Sequence, residues 1–272
     1  MTVSTFERAM NYIVLITFSL VVLGPIWVVA KLALGPKDAA TARDGSPIHP
    51  GNFPEAWEVG RFGTYMVTSV TVAALVVVVA VSVSILAGYA LGALRFRGAT
   101  FFLYLFLVGI MVPTEAIVVP LYFDLRRFHL TNTVWGVALP QIAMSIAFGT
   151  YWMRTYFRSS NRSLIDAARI DGAGSWQILW RILVPIGRPA ILTLVLLVFM
   201  WTWNEFLIPL VMSPSGRVRT APLGLALFQG QYTQGTALLA AGAVIVASPV
   251  VVLYVFLQRH FIKGMIEGAV RE

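Results

Sequence analysis

The sequence predicts an all-α polytopic membrane protein, with six spans forming one transmembrane domain over residues 1–272. Three observations carry that prediction. Of the 272 residues, 58% are apolar and only 12% charged, whereas soluble domains average about a quarter charged residues. The apolar residues gather into six stretches, each long enough for the ~20 helical residues that cross a hydrocarbon core. Lysine and arginine concentrate in alternate connections between those stretches, the asymmetry that orients membrane helices.

The spans fall near 12–33, 64–92, 100–121, 133–153, 189–211 and 237–259. The first is followed by the small residues Ala39, Ala40, Thr41 and Ala42 and so imitates a signal peptide. Its apolar core exceeds the ~7 to 15 residues of such a segment, and five more spans follow, so it reads as an uncleaved first helix. Gly88 and Gly92 form a G-x-x-x-G pattern in the second span, which permits a close helix crossing. Pro113, Pro120, Pro140 and Pro209 lie within or near the ends of spans, where each removes a backbone hydrogen bond and favours a kink.

An even number of spans puts both termini on one side. Arg8, Arg95, Arg97, Arg154, Arg158, Arg162, Arg169, Arg181, Arg188, Arg259, Lys263 and Arg271 share that side, 12 of the 20 basic residues. The positive-inside rule therefore predicts cytoplasmic termini. Arg126 and Arg127, on the opposite side, pull mildly the other way. The segments Gly35–Phe62 and Ser213–Thr236 are then external, and their prolines and glycines suit irregular connections.

Between spans four and five lies the one long polar insertion that reads as ordered structure, NRSLIDAARIDGAGSWQILWRILVP from Asn161 to Pro185. Ser163 followed by Asp166 fits the S-x-x-D capping pattern, which predicts a helix from Leu164. Gly172 and Gly174 supply backbone freedom to end it, and Ser175 caps a second helix over Trp176–Leu183 before Pro185. Ala167, Ala168 and Ala173 would let a partner approach the backbone closely. Arg162, Asp166 and Arg169 are spaced to pair along one face. A helix of about two turns is marginal alone in water, so something must pack on it.

The spacing Asp166-Ala167-Ala168, three residues, Gly172, nine residues, Ile182, Val184, Pro185 resembles the E-A-A-x3-G-x9-I-x-L-P loop of binding-protein-dependent ABC importer permeases. Asp replaces the first Glu and Val replaces Leu. The longer stretch IDAARIDGAGSWQILWRILVPIGRPA, WNEFLIPL from Trp203 and the ending GAVRE are similar to the sugar-importer, maltose-type branch. The resemblance implies six transmembrane helices with a cytoplasmic coupling helix between spans four and five. Asp166, Ala167, Ala168, Gly172, Ile182 and Pro185 would form the ATPase-coupling loop. It also implies a prokaryotic inner-membrane location, a second homologous permease subunit, two ATPase subunits, an external sugar-binding protein and a sugar substrate. No cofactor is expected in this chain, and ATP and magnesium belong to the partner ATPase.

Glu115 and Glu205 are carboxylates inside expected spans. A charge there costs roughly 2.5 to 3.5 kcal/mol unless paired or hydrated, so such groups face a bundle interior or an aqueous path. Both could instead reach water at the outer interface. Trp203, Asn204 and Glu205 together favour a solute path, because an aromatic face stacks on a sugar ring while amide and carboxylate bond its hydroxyls; interfacial tryptophan is also an ordinary membrane anchor. Glu115, Trp203, Asn204 and Glu205 are thus the candidate translocation residues.

Enzyme signatures are absent. The sequence has no cysteine, no P-loop pattern, and only two of the three glycines of a dinucleotide fingerprint. His49, His129 and His260 lack metal-ligand spacing. The basic residues form no aromatic-interleaved stripe of the kind that binds nucleic acid. A membrane-embedded transferase or hydrolase using Glu115 and Glu205 as acid and base is the rival reading, and it has no nucleophile behind it.

Overall fold

In the computed structural model the described residues are 4–37, 46, 48–160, 162–231 and 236–269, excepting the side chains at 5, 229–231 and 260–269. Asn161 of the polar insertion, the small-residue run 39–42 and residues 270–272 of the GAVRE ending lie outside them. Every regular element among the described residues is helical. Packing gathers the chain into two compact units, Met1–Thr64 with Gly224–Ser248, and Tyr65–Leu223 with Pro249–Glu272.

The first unit holds α1 (Thr5–Ala33) and α2 (Asn52–Val59). A reciprocal cap starts α1: the Ser4 hydroxyl accepts from the Glu7 amide at 3.2 Å, and the Glu7 carboxylate accepts from the Ser4 amide at 2.9 Å. The apolar face of α1 has almost no partner inside the chain, so lipid or another apolar surface must cover it. Contrary to the irregular connection expected over 35–62, a short helix forms there, with Pro54 in its first turn, where a missing N–H costs little. Asn52 ties α2 to the end of α1, its amide donating to the Ala33 and Gly35 carbonyls at 2.9 Å. Lys37 pairs with Glu55 at 2.6 Å. Ala33, Ala56, Phe228, Leu238 and Ala241 make this unit's core.

The second unit holds the remaining architecture. Helix α3 (Phe62–Ala93) is followed by α4 (Ala99–Met111), α5 (Thr114–Arg127), α6 (Val134–Ser159) and α7 (Arg162–Ile170). Helix α8 (Ser175–Ile186) carries a π-helical stretch over Ile178–Leu183. Then come α9 (Arg188–Asn204), α10 (Leu207–Met212), α11 (Ala221–Gln231) and α12 (Thr236–Ala269). Three of these, α3, α11 and α12, include residues of the first unit. The segment 213–236, expected to be irregular, contains α11, with Pro222 tolerated in its first turn.

Against the six expected spans, the first, second, fourth and sixth fall on the continuous helices α1, α3, α6 and α12, while the third and fifth do not. The stretch 100–121 is α4 and α5, bent by 99°. Pro113 accounts for the position of the break: it disfavours helical backbone in the preceding residue, and Val112 is extended at ψ 118°. The stretch 189–211 is α9 and α10, interrupted at Glu205–Phe206, and α9 itself departs from α8 by 78° at Gly187. A side chain on Gly187 would strike the Tyr156 ring at 2.7 Å.

The G-x-x-x-G pattern lies at a backbone crossing. A Cβ on Gly88 would meet the Arg154 amide nitrogen at 2.9 Å, and one on Gly92 the Arg154 carbonyl at 2.8 Å, so α3 and α6 are in close contact through the absence of two side chains. Met153, Phe157, Tyr89, Leu194, Ile178 and Leu183 fill the core around that crossing.

Candidate functional site

The polar insertion folds as helix, glycine turn and helix. Helix α7 begins at Arg162, two residues before the position expected from the Ser163 cap. Asp166 therefore lies a full turn into the helix, where its contact is an ion pair with Arg169 at 3.9 Å. The turn is built on backbone bonds: the amides of Asp171, Gly172 and Ala173 donate to the carbonyls of Ala167, Arg169 and Ala168 at 3.0, 3.0 and 2.9 Å. Gly172 makes the last two possible by adopting φ 82°, which L side chains disfavour. Gly174 has an ordinary φ of −73°, and its amide is capped by the Gln177 side chain at 3.0 Å.

The two faces of the insertion differ. Ile165 and Ala168 are buried in the core of the second unit with Ile178, Leu179 and Leu183, and the Tyr89 hydroxyl donates to the Ser175 carbonyl at 3.1 Å. Of the residues quoted for the motif, Asp166, Ala167, Gly172 and Pro185 are exposed and Ile182 is half-buried. Beside them stand apolar side chains that the chain leaves uncovered, with Ile170 87% and Trp176 64% exposed. Asp171, Gly172, Gln177, Arg181 and Ile182 line a shallow hollow of about 340 Å³. The arrangement is an exposed two-helix knob anchored by one face, with a hollow and two large apolar side chains on the other.

A second site opens where α9 ends. Asn204 and Glu205 line a cleft of about 620 Å³ with Gln141, Ser145, Phe148 and Trp201. The Glu205 backbone is extended at ψ 124°, which stops α9. One carboxylate oxygen accepts from the Ile208 amide at 3.0 Å and so starts α10. Phe148 and Trp201 meet edge to face at 4.8 Å, giving the cleft an aromatic wall. Gln141 is nearly buried; its amide nitrogen donates to the Val137 carbonyl at 2.9 Å, while its carbonyl oxygen has no partner.

The four expected path residues are not all brought together. Asn204 and Glu205 share the cleft, but Trp203 is 1% exposed and stacks on Phe199 at 5.4 Å. The aromatic residue that faces the cleft is Trp201. Glu115 is exposed in the first turn of α5 and does not line the cleft. Gln141 and Ser145 were passed over in sequence, although an amide and a hydroxyl one turn apart within an apolar span are the same kind of signal as an intramembrane carboxylate. No cluster of metal-ligating side chains occurs among the described residues.

Helices of spanning length, two of the candidate spans bent, an exposed helical knob and a largely apolar cleft carrying a few amide, hydroxyl and carboxylate groups are the architecture of a multi-pass membrane protein. The family model for the binding-protein-dependent transport system inner membrane component matches residues 84–267, and the chain belongs to that family of ABC importer permeases. It is 36% identical over 223 residues to the probable ABC transporter permease protein YurM of Bacillus subtilis, covering 82% of this chain and 74% of that one. It is 36% identical over 214 residues to the arabinooligosaccharides transport system permease protein AraQ of Halalkalibacterium halodurans, covering 79% and 76%. To the trehalose transport system permease protein SugB of Mycobacterium tuberculosis it is 29% identical over 252 residues, covering 90% and 91%. In fold it is similar to a chain of a bacterial ABC transporter that imports the acidic polysaccharide alginate, with a TM-score of 0.74, 23% identity and coverage of 96% and 99%. The role is thus that of a transport subunit, and the acid–base pairing of Glu115 and Glu205 finds no support.

Proposed function

We propose that this chain is one half of the translocation pathway of an ATP-driven sugar importer. The observation that carries the reading is the knob formed by α7 and α8: an ordered, exposed two-helix projection whose glycine turn, small residues and uncovered tryptophan suit docking by a second protein. The relatives named for arabinooligosaccharide and trehalose transport support carbohydrate as the cargo, as does the cleft, whose aromatic wall and amide and carboxylate groups have the chemistry of sugar recognition.

On this reading Asp166, Ala167, Gly172, Ile182 and Pro185 belong to the surface that meets an ATPase subunit, whereas Ala168, expected on that surface, is buried and anchors the knob to the core. Two such ATPases, binding ATP and magnesium, would work with this chain, a second homologous permease and an external sugar-binding protein in a prokaryotic inner membrane. The knob would transmit nucleotide-driven closure to the helices, so the permease is the bistable element and nucleotide the ligand that distinguishes its states. Asn204 and Glu205, joined by Gln141, Ser145 and Trp201, would line the sugar path; Trp203 would support it from behind, and Glu115 would lie outside that cleft.

Affinity purification from native membranes tests the assignment. Recovery of a Walker-type ATPase and a second permease is expected, and a lone chain with turnover of its own would overturn it. Orientation has a separate test, because the chain has no cysteine of its own. Single cysteines at Ser46, Arg126 and Ser215 should label with an impermeant thiol reagent from outside, and one at Ser159 only after the cytoplasmic face is opened. External labelling at Ser159 would reverse the topology.

A further inference from the structure

A second cleft, of about 770 Å³, lies where the ends of α3 and α6 meet α7, lined by Arg95, Arg158, Arg162 and Arg169 with Asp166, Leu94 and Phe96 among others. Its volume falls within the ~300 to 1,000 Å³ typical of small-ligand sites. Four guanidinium groups face one carboxylate. Asp166 is already paired with Arg169, and Arg95, Arg158 and Arg162 make no ion pair among the described residues.

Helix electrostatics explain part of this cluster and not the rest. Arg158 sits in the last turn of α6 and Arg95 just beyond α3, both at negative helix ends, where a cation is favoured. Arg162 opens α7, the positive end, where a cation is disfavoured. An external anion would remove that conflict and neutralise the surplus charge.

The walls indicate what kind of anion. Phe96 is 41% exposed beside the arginines, and its ring lies 6.4 Å from that of Phe102 on α4. Phe101 and Phe102, 67% and 47% exposed, continue the apolar surface along α4. The cleft therefore combines a basic cluster with an apolar wall at Phe96, and Phe96 in turn contacts the exposed aromatic flank of α4. A ligand matching both ends has a phosphodiester head and acyl chains. We infer that this cleft is a binding site for an anionic phospholipid, whose phosphate is held by Arg95, Arg158 and Arg162 while its chains lie against Phe96 and α4. Arginine is suited to this, since its planar fork can hold two phosphate oxygens at once, and basic pockets at the cytoplasmic ends of membrane helices are known to take such head groups. Asp166 belongs both to this cleft and to the proposed ATPase-docking surface, so lipid retention and ATPase recovery must be read separately.

Native mass spectrometry of the full-length protein in detergent, titrated with dioleoylphosphatidylglycerol or dioleoylphosphatidylcholine, tests it. The wild type should retain phosphatidylglycerol preferentially. Removing two guanidinium groups in an Arg95→Gln, Arg158→Gln variant should weaken that retention roughly 10- to 30-fold, at about fivefold per surface charge, and leave phosphatidylcholine unchanged. An Arg95→Lys, Arg158→Lys variant, with charge kept and fork lost, should fall between the two and controls for folding. Equal phosphatidylglycerol retention in wild type and Gln variant overturns the site. So does displacement of the lipid by millimolar inorganic phosphate alone, which would make it a site for a free anion. Loss of co-purifying ATPase from the Gln variant with lipid retention intact would show that the cleft holds an acidic protein surface instead.

Discussion

The knob of α7 and α8 and the cleft at Glu205 both interrupt long helices, but they are built in opposite ways. The knob is local: its geometry comes from backbone bonds among residues 167–173 and from one glycine at φ 82°. The cleft is assembled at a distance, from α4, α6 and α9, around a carboxylate that stops one helix and starts the next. A local device can be broken by a single backbone change with the rest of the chain intact. An assembled one mixes support with lining, so neighbouring residues in sequence can have unlike roles.

The sharpest test of the local device compares two glycines two residues apart. A Cβ would meet nothing within 4 Å at either Gly172 or Gly174, but only Gly172 has a positive φ. Gly172→Val therefore forces strain of roughly 1 kcal/mol or more into the turn, whereas Gly174→Val adds bulk to open space. We expect Gly172→Val to reach the membrane at normal levels yet lose transport, with ATP hydrolysis no longer stimulated by a loaded binding protein, and Gly174→Val to keep most activity. Equal uptake in the two variants, measured with radiolabelled sugar, would remove backbone geometry as the basis of the knob.

For the assembled site the matching pair is Trp203 and Trp201. Trp203→Ala empties a fully buried position, a change that costs about 3 to 5 kcal/mol in a packed core, and should lower the amount of folded protein in the membrane. Trp201→Ala removes an aromatic wall at a position 48% exposed and should leave protein levels unchanged while raising the sugar concentration needed for half-maximal uptake. Quantitative immunoblots beside uptake curves separate the two effects. The reverse pattern would mean that the sugar path runs along the Trp203 side.

Glu205 has two roles to separate, cap and charge. Glu205→Gln keeps an acceptor oxygen for the Ile208 amide and removes the charge, which is worth about 1 kcal/mol in a hydrogen bond. A drop in uptake of about fivefold with normal assembly is the expected result. Full transport in both Glu205→Gln and Glu205→Leu would reduce the residue to packing.

The contrast also explains what was legible in sequence. The knob was readable because Gly172, the alanines and the polar run are neighbours in the chain, and its start was misplaced by two residues because S-x-x-D is a weak local signal. The four uninterrupted helices were readable from apolar length alone. Pro113 was visible as a kink position, but a 99° turn depends on what α4 and α5 pack against, which no local pattern contains. Trp203, Asn204 and Glu205 are consecutive and so looked like one site; a helix turns about 100° per residue, which sends Trp203 into the core and leaves Trp201 on the cleft. Gln141 needed the folded chain to bring it beside them.

The smallest expected effect is at Asp166, the residue where this sequence departs from the Glu of the resembled loop. As the N-terminal cap expected from sequence, it would contribute about 0.5 to 2 kcal/mol. It stands instead one turn into α7, paired with Arg169 at 3.9 Å, with both side chains at least half exposed. Surface pairs of this kind contribute only about 0 to 1 kcal/mol, and less in salt. Asp166→Ala should therefore leave the helix and the membrane level of the protein unchanged. Any loss of transport would then come from a missing contact with the partner, not from a distorted knob. Asp166→Glu separates these readings: it lengthens the side chain by one methylene and keeps the charge. If the carboxylate meets a basic group on an ATPase, Glu should retain transport while Ala loses about two- to fivefold, and the loss should shrink at high ionic strength. A loss in Asp166→Ala as severe as that in Gly172→Val would place the carboxylate, and not the backbone turn, at the centre of coupling.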